Sequence, residues 1–238
     1  MPSSSERDAT AANFTPPERI EAYLTAKSER RLLNRLCGEL PAWMMPDHLS
    51  AIGLFGAVLS GLSYVAANWS PLFFWLSSLG LLINWFGDSL DGSLARYRKT
   101  ERPRYGYFLD HSLDVINYCW LFVGLGFSPY IPLNVALFAL VGILLMHVYT
   151  LMSNHLSENF NATVFSLGPT ELRMVFVYLN AAMYIRGPLR WGFLGFPFSP
   201  YVVGVAAMGT IFVGIFLVDV FVLSRKLARE KQRDSPIS

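Results

Sequence analysis

The residues best suited to chemistry are four aspartates that lie in two pairs between apolar stretches of the chain. Asp88 and Asp91 are separated by two residues, and Asp110 and Asp114 by three, so each pair would lie on one face of its own helix. Two neighbouring helices could bring all four carboxylates together. Carboxylates next to hydrocarbon are costly unless they pair, bind a cation or line a wet cavity. We therefore expect one or two divalent cations as their partners.

The ligand chemistry of these aspartates indicates a hard cation. Oxygen ligands without a paired Cys or His favour Mg²⁺, Mn²⁺ or Ca²⁺ over zinc. A carboxylate cluster with Mg²⁺ most often handles phosphate esters, because the metal bridges phosphate oxygens and neutralises developing charge. The spacing therefore predicts chemistry on a phosphate ester.

Small residues flank the aspartates at Gly92, Ala95 and Gly106. They could let a bulky substrate approach the helix backbone closely. Alternatively, they only let helices pack, as small residues often do in membranes.

The elements that must position these residues are membrane helices. The chain has 238 residues, 53% hydrophobic and 15% charged, a composition typical of a membrane protein rather than a soluble domain. The net charge of +2 does not suggest a nucleic-acid partner. Six segments approach the length needed to cross a bilayer: Leu49–Ala67, Pro71–Phe86, Leu109–Gly126, Ile131–Leu151, Leu172–Ile185 and Tyr201–Leu223. The second is short, so we expect its helix to continue into the polar aspartate stretch.

These segments predict an all-α fold, an integral membrane six-helix bundle over residues 46–225. Residues 1–15 are predicted to be disordered, and residues 226–238 form a basic tail. Residues 16–45 read as an amphipathic juxtamembrane helix on the membrane surface. The alternative is a solvated helix that packs on the body of the protein.

The distribution of basic residues predicts the orientation in the membrane. Lys and Arg collect before the first span, between the second and third, and after the sixth. The positive-inside rule places those segments in the cytoplasm, so we expect a multi-pass protein with both termini and the aspartates on the cytoplasmic side. Arg186 and Arg190 depart from the rule locally.

The aspartates belong to a longer pattern that resembles the signature of the CDP-alcohol phosphotransferases (CDP-alcohol phosphatidyltransferases). These are integral membrane enzymes of phospholipid synthesis. The pattern reads Asp-x-x-Asp-Gly-x-x-Ala-Arg from Asp88 to Arg96, then Gly-x-x-x-Asp-x-x-x-Asp from Gly106 to Asp114. Nine residues separate the two halves, where the family usually has eight. The segments "MPDHLSAIGL" and "GPTELR" also resemble family motifs.

The resemblance implies a role for each residue. Two Mg²⁺ or Mn²⁺ ions would be held by Asp88, Asp91 and Asp110 and would bind the pyrophosphate of the CDP group. Asp114 would be the general base and a further metal ligand. The remaining signature positions would contact the CDP-linked donor: Asp47, Ser50, Gly92, Ala95, Arg96 and Gly106.

Three other polar residues are candidates for substrate contact. Arg102 lies in a basic cluster that could bind a phosphate, although membrane topology alone explains such a cluster. Glu171 and Arg173 begin the fifth span and could position the acceptor or pair with the metal cluster. Alternatively, Glu171 only stabilises the start of the helix as an acidic residue in its first turn, and Arg173 only extends its charged end to the membrane surface.

The function that the resemblance implies is transfer of a phosphatidyl group from CDP-diacylglycerol to an alcohol, with release of CMP. The alternative is transfer of a phospho-headgroup from CDP-choline or CDP-ethanolamine to a lipid alcohol, because "FLDHSLD" resembles the Asp-His pair of those enzymes. Remoter alternatives are an intramembrane prenyltransferase and a cation transporter. The expected partners are a CDP-linked lipid, an alcohol acceptor, membrane lipid and a second copy of the chain.

Overall fold

The computed structural model describes residues 26–156, 169–189, 191–193 and 196–233. The predicted disorder of residues 1–15 lies outside this part of the chain. The described residues form seven helices and one short hairpin. The helices are α1 (Ala26–Glu39), α2 (Pro46–Ala66), α3 (Phe73–Tyr97), α4 (Pro103–Gly126), α5 (Leu133–Leu156), α6 (Pro169–Arg186) and α7 (Pro200–Arg233).

Proline marks the start of four of these helices. Pro46 and Pro103 occupy the first turns of α2 and α4, and α6 and α7 begin at Pro169 and Pro200. Proline fits this position because its fixed φ suits the helix and its missing N–H would have no intrahelical acceptor. The six helices after α1 coincide closely with the six apolar segments of the sequence.

The prediction that the second apolar segment continues into polar sequence is confirmed. The helix α3 runs past Phe86 to Tyr97, so Asp88 and Asp91 lie on its last three turns. Arg96 is in its last turn, where a cation favours the helix dipole. The apolar segment and the first half of the signature thus form one helix.

Three of the described helices are long and apolar enough to cross a membrane by themselves: Pro46–Ala66, Leu133–Ser153 and Pro200–Arg229. These lie in α2, α5 and α7. The other helices contain ionisable residues such as Asp88, Asp110 and Arg173, which lower their mean hydropathy.

Glycines hold α2 and α3 at very short distance. A Cβ added at Gly56 would lie 2.4 Å from the backbone nitrogen of Asn84, and one at Gly87 would lie 2.3 Å from that of Gly53. A Cβ does not fit at either position. The two backbones can approach this closely only because Gly56 and Gly87 carry a hydrogen in its place. The Asn84 amide donates across this contact to the Gly53 carbonyl at 2.9 Å. This contact fixes the aspartate-bearing end of α3 against the start of α2.

We expect Gly87→Ala to destabilise the protein strongly. The new methyl group would overlap backbone rather than a mobile side chain, and overpacking of this kind typically costs about 1–3 kcal/mol or more. The measurement is the fraction of monodisperse protein that survives heating in detergent, followed by size-exclusion chromatography. Gly204→Ala is the matched control, because a Cβ there meets nothing within 4 Å among the described residues. Equal heat resistance of both variants would contradict the packing argument.

The helix α1 packs on the body of the protein. Leu33 and Cys37 are buried against Leu90 and Leu94 of α3 and Leu49 of α2. Burial raises the pKa of the Cys37 thiol, an effect that the charges of the nearby arginines partly oppose. This packing is compatible with both expectations for the segment, a helix on the membrane surface and a solvated helix against the body of the protein.

Two features were not predicted from the sequence. A hairpin of Trp191–Phe193 (β1) with Phe196–Phe198 (β2) lies between α6 and α7, whereas every other described element is a helix, as the all-α prediction expects. Aromatic residues suit extended strands, and a three-residue strand is too short to change an apolar pattern. The helix α7 also continues through most of the predicted basic tail, to Arg233.

Candidate active site

Asp91 is held by a hydroxyl from the neighbouring helix. Ser50, in the second turn of α2, donates to the Asp91 carboxylate at 2.6 Å. Ser50 is 7% exposed, so this hydrogen bond is largely shielded from water. The sequence predicted donor binding for Ser50, and the structure adds that its hydroxyl orients a predicted metal ligand.

Asp88 forms an ion pair with Arg173 of α6. The Arg173 guanidinium donates to the Asp88 carboxylate at 2.6 Å and, through Nε, to the Asn84 side-chain oxygen at 2.9 Å. The two charged side chains are only 13% and 19% exposed. Arg173 is therefore a buried counter-charge of the aspartates and not a snorkelling base. Glu171 lies two residues earlier, half-buried in the first turn of α6.

The charges of α3, α4 and α6 share one region. Asp91 interacts electrostatically with Asp88 and Asp110, and Arg173 interacts with both Asp88 and Asp114. Each of the four predicted metal ligands is thus electrostatically coupled to at least one other charge of this region. The expectation that two helices bring the aspartates into one region agrees with this arrangement.

The donor set of this region fits a hard divalent cation. Four carboxylates from two helices offer oxygen ligands, the type that Mg²⁺ and Mn²⁺ prefer. Arg173 offsets part of their negative charge, and Ser50 satisfies one oxygen of Asp91. The carboxylate chemistry of this region therefore fits the predicted metal ligands.

The basic loop between α3 and α4 divides into a structural part and a part near the site. Arg98 donates to the backbone carbonyls of Leu40, Pro41, Ala42 and Met44. Its guanidinium therefore ties the loop after α1 to the end of α3. These hydrogen bonds give Arg98 a structural role, so no substrate contact is needed to explain it.

Arg102 pairs with Asp47 at the start of α2. Both residues were predicted to contact the donor, and here they contact each other at the protein surface, with 54% and 44% of their side chains exposed. The Arg102 guanidinium also lies 4.3 Å from the ring centre of Tyr105. The hydrogen bond to Asp47 raises the pKa of Arg102, and an arginine is cationic at neutral pH in any case.

Two signature glycines, Gly92 and Gly106, make no close helix–helix contact within the described part of the chain. A Cβ at Gly106 would meet nothing within 4 Å among the described residues, and one at Gly92 would meet only the Arg96 guanidinium, at 3.5 Å. This differs from Gly56 and Gly87, whose neighbours are backbone atoms. The packing alternative therefore does not explain Gly92 and Gly106 in this chain. Ala95 is half-buried beside them.

A small cavity adjoins the aspartates. It has a volume of about 20 Å³ and is lined by Asn84, Asp114, Asn117, Tyr118 and Arg173, among others. That volume holds one water molecule. The sequence reasoning did not single out Tyr118, although its position four residues after Asp114 places it on the same helix face.

Comparison with known proteins agrees with this geometry. Residues 43–212 match the profile of the CDP-alcohol phosphatidyltransferase family. The chain is 31% identical to Cholinephosphotransferase 1 of Danio rerio over 99 residues, which are 38% of this chain and 25% of that protein. It is 36% identical to Phosphatidylinositol phosphate synthase of Cutibacterium acnes (strain DSM 16379 / KPA171202) over 85 residues, 36% of this chain and 39% of that protein.

Both relatives are thus matched over less than half of their own length. The profile match covers the first helix of the predicted bundle, both halves of the aspartate signature, α6 and the start of α7. This is more than half of the chain, and it includes every residue of the site described above. The chain therefore belongs to the CDP-alcohol phosphatidyltransferase family.

Proposed function

We propose that this protein transfers a phosphatidyl group from CDP-diacylglycerol to the hydroxyl of an alcohol, releasing CMP. The observation that supports this most directly is the shared charge environment of Asp88, Asp91, Asp110 and Asp114, with Arg173 paired to the first of them. Family membership makes a CDP-linked substrate the natural ligand of such a cluster.

The role proposed for Asp114 is that of general base. Its carboxylate would accept the proton of the acceptor hydroxyl as that oxygen attacks the phosphorus of the lipid-bearing phosphate. The phosphorus–oxygen bond to CMP breaks on the opposite side, so no covalent intermediate with the protein is needed. Asp114 lines the small cavity together with Arg173, so the proposed base would lie beside a cation that could hold an acceptor oxygen.

The other aspartates would hold two Mg²⁺ or Mn²⁺ ions, with Asp88, Asp91 and Asp110 as the first ligands and Asp114 as a further one. When bound, such ions neutralise charge on the pyrophosphate of the donor. Ser50 keeps the Asp91 carboxylate in place. Arg96, which covers Gly92, and Arg102 would meet the CDP part of the donor, with Asp47, Ala95 and Gly106 beside them.

In the membrane we propose six spans, formed by α2 to α7, and a cytoplasmic site. Three of these helices are apolar enough to span without help, and the others would cross by packing their ionisable residues against one another. The helix α1 would lie at the cytoplasmic surface, where its outer face, including Leu32 at 45% exposure, can meet lipid headgroups. We also propose that the protein forms a homodimer, as the resemblance to the family implies.

A second candidate donor is a CDP-headgroup, with a lipid alcohol as acceptor. Two observations favour it: His111 directly follows Asp110, and one relative is named Cholinephosphotransferase 1. The other relative, Phosphatidylinositol phosphate synthase, favours the phosphatidyl transfer. Family membership removes the prenyltransferase alternative.

The donor is decided by labelled substrates and purified protein. We expect lipid product from CDP-diacylglycerol with Mn²⁺ and an alcohol, and none from CDP-choline or CDP-ethanolamine with diacylglycerol. The acceptor panel contains inositol, inositol phosphate, glycerol phosphate and serine, and mass spectrometry identifies the lipid formed. Product from the CDP-headgroup donors alone would reverse the order of the two candidates.

A further inference from the structure

Two histidines and one aspartate meet between α4 and α5. His111 and Asp114 come from α4 and His147 from α5, and one potential ligand atom of each lies within 4.8 Å of the other two. His111 and Asp114 are three residues apart and share a helix face. The second helix supplies the third ligand across the interface.

The atoms are close to the spacing of a real metal site. Zinc bonds of about 2.0–2.1 Å in tetrahedral geometry place ligand atoms roughly 3.4 Å apart. For a metal to bind, the three ligand atoms would have to move closer together by little more than an ångström, and side-chain rotation can supply this movement. All three residues are half-buried, so a bound ion would be partly shielded from water.

Aromatic neighbours restrain the orientation of the imidazoles, and one imidazole nitrogen has no hydrogen-bond partner among the described residues. The ring of His111 contacts Tyr107 edge-on at 4.3 Å and lies 5.3 Å from the ring of His147. The Nε2 atom of His147 is buried and has no hydrogen-bond acceptor or donor among the described residues. A buried polar atom without a partner is costly, and coordination to a cation would satisfy it.

We infer that His111, Asp114 and His147 bind a transition-metal ion such as Zn²⁺ or Co²⁺. Two imidazoles and one carboxylate are ligands that suit such ions, whereas the four aspartates suit Mg²⁺. Metal binding itself does not depend on the proposed function, whereas the effect on catalysis does. Because Asp114 is the proposed general base, an ion held here would take up its carboxylate and inhibit CMP release.

Metal binding is tested without reference to activity. The protein is purified without a polyhistidine tag and titrated with Co²⁺ in excess Mg²⁺, so that oxygen-only sites are filled. Mg²⁺ competes with Co²⁺ only for Asp114, because imidazole ligands favour transition metals. We expect one Co²⁺ per chain with visible absorption bands of a nitrogen-containing site of low coordination number. His147→Gln should weaken Co²⁺ binding by at least about tenfold, because loss of even an outer hydrogen-bond partner of a metal ligand typically costs 10–100-fold. His48→Gln is the matched control, since His48 lies at the start of α2 and its ring accepts from the Met45 backbone N–H.

A measurement on the unaltered protein guards against variants that fail to fold. With Cu²⁺ bound in excess Mg²⁺, electron spin-echo modulation counts the coordinated imidazoles, and we expect two. Fewer than two imidazoles, or equal Co²⁺ affinity in folded His147→Gln, would overturn the site. The inhibitory consequence is checked by Zn²⁺ inhibition of CMP release, each protein being normalised to its own metal-free rate. If Zn²⁺ binds and CMP release continues, the site stands and the general-base assignment fails.

Discussion

Asp114→Asn is expected to lower the rate of CMP release by roughly 10²–10⁴-fold, the usual contribution of a general base. The amide has nearly the shape of the carboxylate but cannot accept the proton of the acceptor hydroxyl. Binding of the CDP-linked lipid should survive, because the other three aspartates remain. The measurements are single-turnover CMP release and equilibrium binding of labelled CDP-diacylglycerol in excess Mg²⁺.

Glu39→Gln is the control for this substitution. Glu39 is an exposed carboxylate at the end of α1 that pairs with Arg35, so its removal changes the charge by the same amount at a residue outside the proposed site. CMP release by Asp114→Asn at the wild-type rate would refute the base assignment. Asp114→Asn also tests the transporter alternative. A transporter would lose ion flux in liposomes on this substitution, and neither the variant nor the unaltered protein would show a CDP-dependent reaction.

Some of this site was predictable because it is local in sequence. The spacing within Asp88–Asp91 and Asp110–Asp114 fixes each pair on one helix face, and a helix period needs no knowledge of the fold. The continuation of α3 past Phe86 followed from the short apolar segment before it. The start of α4 was not predicted: the third apolar segment was expected from Leu109, whereas the helix begins at Pro103.

Other parts depend on how the helices are rotated and packed, which one sequence does not reveal. Arg173 reaches Asp88 across 85 residues of chain, and its sequence position was equally consistent with a snorkelling residue. His147 faces His111 only because of the rotation of α5 about its axis. The glycines at 53, 56, 80 and 87 read as ordinary small residues until the α2–α3 contact shows that their missing Cβ atoms are required. The hairpin at 191–198 is too short to leave a periodic pattern.

The second large effect concerns the metal ligands. Asp91→Ala is expected to lower CMP release by at least about 100-fold, because loss of a ligand should exceed the 10–100-fold typical of its outer hydrogen-bond partners. Chelation of divalent ions should stop the wild-type reaction, and added Mg²⁺ or Mn²⁺ should restore it. The measurement is CMP release as a function of Mg²⁺ concentration, with folding checked by size-exclusion chromatography.

Ser50→Ala separates a metal ligand from the residue that orients it. Without the 2.6 Å hydrogen bond to Asp91, the carboxylate loses a restraint but keeps its charge. We therefore expect a rise of about tenfold in the Mg²⁺ concentration needed for half-maximal activity, with most of the maximal rate regained at high Mg²⁺. Ser63→Ala is the matched control, since Ser63 lies on the same helix and donates to the Leu59 carbonyl at 2.6 Å. If Ser50→Ala and Ser63→Ala required the same Mg²⁺ concentration, Ser50 would contribute to α2 alone and the hydroxyl would not be part of the metal site. Because Ser50 also contacts its own helix, at 3.4 Å from the Pro46 carbonyl, only this comparison between two serines of α2 distinguishes loss of helix stability from loss of carboxylate orientation.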